Sequence, residues 1–258
     1  MSDDEKLNKD ERLPFTVHLE ELRDRLIKCF VAVAVGFVIS YFFKEKLFDI
    51  LIKPLIDVME QGETLIYTGL PEAFFTFLKV SFLSSLIVTS PVIIYQFWMF
   101  VAPGLYTKEK KLLLPIIFLS SFFFIGGSLF GYFVVFPYGF QFFLGFATET
   151  IRPLPSMKEY LSFSAKLLLA FGLVFELPLV ITFLAKLGIV SVDFLKKNRK
   201  YAVLLFFVGA AIITPPDVIT QVMMAIPLMG LYEISIIGAR IFGKKASKEF
   251  EEDSLTSP

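Results

Sequence analysis

The sequence predicts an all-α integral membrane protein with six transmembrane helices, both termini cytoplasmic, helices five and six short, and structured loops on the outer face. Three observations carry this. Hydrophobic residues make up 55% of the 258 positions, with 32 Phe, and mean hydropathy is +0.69, well above a soluble domain of this length. The charged residues, 19% of the chain, gather between long apolar stretches. That is the pattern of helical spans, not the short alternating segments of a membrane β-barrel. Finally, Lys and Arg are divided unevenly between alternate loops.

The first apolar run is 26–43, "LIKCFVAVAVGFVISYFF". Residues 1–13 are too polar and too acidic for a cleavable leader, so this run is expected to remain as an anchor. The second span covers about 74–101, with Pro91 inside it. The third covers about 113–138. The fourth covers about 160–188 and is interrupted at Pro178, because proline removes a backbone hydrogen bond and clashes with the preceding turn. The fifth is 201–213. Its 13 residues span roughly 20 Å at 1.5 Å per residue, against about 30 Å of hydrocarbon. "TPPD" at 214–217 then forces a turn, and the sixth span follows at about 218–238. So short a crossing must thin the bilayer, recruit water or be shielded by its neighbours.

Lys and Arg number five in 1–25, three in 101–113, four in 189–201 and four in 239–258, against three in 44–73 and two in 139–159. Loops rich in Lys and Arg stay in the cytoplasm, which places both termini there. Segment 44–73 then lies outside. "LFDILIKPLIDVM", 47–59, has amphipathic helical spacing around Pro54 and reads as a structured outer cap. A second Pro-containing outer loop is 148–160. The chain reads as one polytopic membrane domain, 1–258, with polar tails at 1–16 and 240–258 around a six-helix core, 17–239.

Composition also excludes function classes. Zero net charge gives no general attraction to nucleic acid. The lone cysteine, Cys29, allows no disulfide framework. With His18 as the only histidine, a His/Cys metal site or a histidine-based hydrolytic triad has no basis. There is no HExxH, GxSxG or phosphate-loop motif, so no enzyme activity, metal or cofactor is expected.

Carboxylates among the arginines at the start of the first span raise a question. In a helix through "HLEELRDRL", 18–26, His18, Glu21, Arg25 and Lys28 share one stripe, while Leu19, Leu22 and Leu26 share another. An ordinary i,i+4 pair in an amphipathic lead-in explains Glu21 and Arg25 as well as a docking carboxylate does. Likewise, Glu109 in "PGLYTKEKKLLLP", 103–115, fits the first turn of span three, with Thr107 as its cap. Together, the two acids could receive a cationic ligand at one interface. A guanidinium suits them best, because it binds carboxylate in bidentate geometry. Glu176, in "FELP", lies mid-span in helix four. Intramembrane ionisable groups are costly and usually functional; a protonated or hydrogen-bonded structural acid is the other reading. Asp217 is read as the cap of helix six.

"HLEELRDRL", "PVIIYQFWMFVAPGLYTKEKK", "FGYFVVFP", "FGLVFELP" and "TPPDVITQ…AIP" occur in this order. Together they resemble the TatC family, the multispanning receptors of the twin-arginine protein translocase. The resemblance runs from about residue 16 to residue 240. It implies binding of twin-arginine signal peptides of folded cargo at the cytoplasmic face, through Glu21 and Glu109. Leu19, Leu105 and Tyr106 are then supporting contacts, and Phe100 matches a position the family uses near this site. It further implies that Glu176 lies on a concave face as a contact for a partner helix or water, and that Pro54 and the turn holding Asp217 are sensitive positions. Implied partners are TatA/TatB-like single-span subunits, further copies of the chain and membrane lipid. The implied setting is the inner membrane of a prokaryote, with transport driven by the proton-motive force. A proton-coupled small-solute transporter using Glu176 and Glu233 is the alternative; inverted repeats would support it, and none is visible.

Overall fold

The computed structural model describes residues 15–60, 63–102, 113–148, 150, 152–213 and 218–243. Its helices are α1 (Phe15–Phe42), α2 (Lys44–Ile56), α3 (Glu72–Val101), α4 (Leu113–Phe130), α5 (Phe136–Leu144), α6 (Met157–Phe175), α7 (Leu177–Leu187), α8 (Val192–Lys197), α9 (Arg199–Ile213) and α10 (Val218–Phe242). A π-helical turn, Gly131–Val135, joins α4 to α5.

Among the described residues, five helical stretches are long and apolar enough to cross a membrane: Val17–Phe42, Glu72–Val101, Leu113–Leu144, Met157–Leu187 and Thr220–Phe242. They coincide with expected spans one to four and six. The sixth differs from expectation, because α10 has 25 residues and is not short. Gly238 does not end it. Its missing Cβ lets α10 lie directly on Thr182 of α7, and the helix continues to Phe242. The fifth span stays short. α9 has 15 residues, about 22 Å of helix against about 30 Å of hydrocarbon. α1 begins at Phe15 and α10 reaches Phe242.

Proline positions shape the long helices. Pro137 has no N–H to donate, and the helix accommodates it by widening into the π turn just before it. Pro178 acts similarly between α6 and α7. The Glu176 N–H tightens onto Leu173 O at 3.1 Å, and the Leu179 and Val180 N–H groups restart the ladder on Glu176 O. The break expected from Pro178 is therefore present, with Glu176 at its apex. α7 ends where Gly188 takes a left-handed conformation, φ 81°.

α4 and α6 pack through small residues. The Ser128 hydroxyl donates to Leu168 O at 3.2 Å, Gly127 lies against the Phe171 carbonyl, and Gly172 lies against Phe124 and Ser128. Lipid offers no hydrophobic drive between helices, so such close approach supplies the contact energy. The main core, including Phe136, Leu161, Leu167 and Phe171, sits among α2, α3, α5 and α6. Apolar side chains on the outside, such as Phe30 and Phe42 of α1, stand exposed, as lipid contact requires.

At one end of the bundle, α2 is tied down by two tyrosines. Tyr132 and Tyr160 donate to Ile50 O and Leu51 O, each at 2.5 Å. Pro54 is buried in this helix. Residues Ile66 and Ser156 form a short parallel bridge that joins the two connecting segments at this end. At the other end lie the start of α1 and the end of α10, because α1 starts beside the end of α3, α3 meets α7 through Trp98 and Phe183, and α7 runs alongside α10.

Candidate functional site

The start of α1 crosses the end of α3, and the crossing is polar. Spacing of three and four residues brings His18, Glu21, Leu22 and Arg25 to the partly buried face of α1. Glu21 Oε1 accepts from Arg25 Nε at 3.0 Å and from Arg25 Nη2 at 2.5 Å. Arg25 Nη1 donates to Gln96 Oε1 on α3 at 3.2 Å. The His18 ring stacks on Phe100, with centroids 4.3 Å apart and planes 16° from parallel. Its Nδ1 lies 3.9 Å from Glu21 Oε2.

Exposure separates the two adjacent glutamates. The Glu21 side chain is 24% exposed and that of Arg25 17%, whereas Glu20 and Arg23 are 66% and 65% exposed. Glu20 pairs outward with Arg23, which also donates to Asp24. Glu21 is thus the acid held against α3. Of the apolar stripe, Leu19 and Leu26 face the other way and are exposed, while Leu22 turns in beside Glu21. Phe100 is brought to the crossing; Leu19 is on its outer side.

Glu109, Leu105 and Tyr106, with Thr107, lie outside the described residues, as does Asp217. The ends that flank 103–112 are held together. Ala102 and Leu113 share one apolar cluster with Trp98, Leu179 and Phe183. The described ends of α3 and α4 therefore meet at the end of the bundle that carries Glu21.

Glu176 occupies the α6–α7 break. Its Oε1 is buried and has no hydrogen-bond partner among the described residues. Ser120 of α4 is its polar neighbour, and the Ser120 hydroxyl accepts the Trp98 indole N–H at 3.0 Å. Glu233 instead pairs with Arg199 of α9 at 2.7 Å, both about half exposed, which accounts for its charge without a transport role. No group of three His, Cys, Asp or Glu suited to a metal occurs among the described residues.

Sequence reasoning missed Glu72. Its carboxylate accepts from the Thr68 N–H at 2.9 Å, the Thr68 hydroxyl at 3.3 Å, the Gly69 N–H at 3.3 Å, the Ser156 hydroxyl at 2.9 Å and the Lys158 N–H at 3.0 Å. One acid so ties the start of α3 to the start of α6. An acidic residue in a first turn is a legible signal, but partners more than eighty positions away are not.

The family described as "Sec-independent protein translocase protein (TatC)" matches residues 17–227. The chain belongs to the TatC family. The TatC of Desulforapulum autotrophicum is 68% identical over 249 residues, covering 96% of this chain and 92% of that one. The TatC of Escherichia coli K12 is 40% identical over 244 residues, 94% of this chain and 95% of that one. A solved structure described as the twin arginine translocase receptor TatC is 42% identical, with a TM-score of 0.78, covering 87% of this chain and 98% of the other. The resemblance read from the motifs is therefore correct, and membership makes this chain a multi-pass membrane component of a Sec-independent protein translocase.

Proposed function

We propose that this TatC-family protein is the receptor that captures twin-arginine signal peptides of folded cargo at the cytoplasmic face. It then assembles single-span TatA/TatB-like subunits for export driven by the proton-motive force. The observation that carries the reading is the Glu21 carboxylate, held against α3 and already accepting two N–H groups of a guanidinium. A leader arginine offers the same fork. Glu109 supplies the second acid from the adjoining segment, and Phe100 and His18 form an aromatic wall beside Glu21. The Lys and Arg distribution supports a cytoplasmic position for this end of the bundle.

Glu176 acts later, as the polar contact of a partner helix or of water at the break. Its unpartnered Oε1 supports this, because a buried acceptor without a donor costs about 1–3 kcal/mol, a cost that a partner's donor would offset. The test is crosslinking of a twin-arginine leader to membranes, followed by a transport assay. Glu21→Ala and Glu109→Ala each reduce capture strongly, whereas Glu176→Ala preserves capture and impairs transport. Capture unchanged in both of the first two variants rejects the receptor reading.

A further inference from the structure

We propose that Arg25 is an internal occupant of the docking carboxylate, a latch that a leader arginine must displace. This rests on the reading that Glu21 receives the leader. Both N–H groups of the Arg25 fork that reach Glu21 converge on one oxygen, Oε1. Oε2 accepts no hydrogen bond among the described residues, with His18 Nδ1 3.9 Å away. A guanidinium docked fork to fork takes one N–H on each oxygen, and Arg25 already fills Oε1 with two, so the two arginines compete for it. Gln96 anchors the latch from α3, since its Oε1 holds the remaining guanidinium nitrogen, Nη1, at 3.2 Å. Arg25 is thus held closed by two helices, and not by its own turn alone.

The consequence is an affinity threshold. An internal occupant lowers the apparent affinity of every ligand by the fraction of receptors in which the site is open. All leaders that need the site lose the same factor. Those making a single point contact, as a lysine ammonium does, fall below useful occupancy first. Arg25 therefore sets how strong a leader must be, while Glu21 provides the attraction.

Arg25 also carries a charge that repels cationic leaders, so its removal alone does not identify a latch. Gln96 does, because Gln96→Leu frees Arg25 without changing any charge. The experiment is fluorescence anisotropy of a labelled twin-arginine leader with the full chain in nanodiscs. It uses the wild type, Arg25→Gln, Gln96→Leu, the double variant, Glu21→Gln, and Arg25→Lys, which keeps the charge and loses the fork. Thermal melts confirm that each is folded. The latch predicts tighter binding by at least about twofold in Arg25→Gln and in Gln96→Leu. Arg25→Lys should be intermediate, and Gln96→Leu should add nothing once Arg25 is Gln. Unchanged or weaker binding in Gln96→Leu overturns the latch, as does additivity in the double variant. Weaker binding in Arg25→Gln also overturns it, making Arg25 a supporting contact. If Glu21→Gln binds the leader as the wild type does, the receptor reading itself fails. If Glu21→Gln loses binding while the Arg25 and Gln96 variants gain none, only the latch fails.

Discussion

Two adjacent glycines on α4 make a controlled test of how this bundle is held together. A Cβ at Gly127 would meet the Phe171 carbonyl oxygen at 2.5 Å and Phe175 Cβ at 2.7 Å, whereas a Cβ at Gly126 would meet nothing within 4 Å. The Phe171 oxygen belongs to helix backbone and cannot swing aside, so Gly127→Ala must push α4 from α6. Overpacking of this kind costs about 1–3 kcal/mol. Gly126→Ala incurs no clash and gains about 0.5–1 kcal/mol from reduced backbone freedom. The backbone gain is common to both, so the two variants, identical in chemistry and one residue apart, should differ by the overpacking cost of about 1–3 kcal/mol. The assay is unfolding in mixed micelles by denaturing detergent, with thermal melts alongside, where each kcal/mol moves Tm by about 2–4 °C for a chain of this size. Equal stabilities would refute the small-residue seam as the basis of α4–α6 packing.

Trp98→Phe removes the indole donor from a fully buried Ser120 hydroxyl and should destabilise by about 1–3 kcal/mol. Ser120→Ala alone should cost as much or more, because it strips the indole N–H of its acceptor and Glu176 of its polar neighbour; a neutral Ser120→Ala would mean the bond is not what Trp98 contributes. Every hydrogen bond Glu72 makes is accepted from a donor, so the amide nitrogen of Glu72→Gln would face donors. Faster hydrogen exchange at Thr68, Gly69 and Lys158 is expected, and unchanged rates would contradict the tie. The 15-residue α9 should make export in proteoliposomes fall as acyl chains lengthen beyond its reach of about 22 Å; indifference to thickness would count against local thinning.

The spans were legible because membrane crossing demands long apolar runs, and the break at Glu176 because Pro178 cannot donate a hydrogen bond. The end of the sixth span was not legible. Gly238 serves as the point of contact with Thr182, and α10 continues past it to Phe242. Helical spacing put Glu21 and Arg25 on one stripe but could not say which stripe meets α3. His18, Glu21 and Arg25 turn inward together with Leu22, while Leu19 and Leu26 turn outward. The parts left unread were contacts between distant segments, namely Gln96 with Arg25, Ser120 with Trp98, and Glu72 with the start of α6. Nothing in local spacing encodes these pairings.

The central claim is that a carboxylate pair recognises guanidinium groups. It is tested most directly by calorimetric titration of two leader peptides into the full chain: one with the arginine pair, and one with citrulline at both positions, which keeps the shape and removes the charge. Wild type should bind the arginine peptide at least about tenfold more tightly, the scale of one charged hydrogen bond. In the Glu21→Gln, Glu109→Gln double variant that preference should vanish. A double variant that still prefers arginine by the same factor would contradict the account.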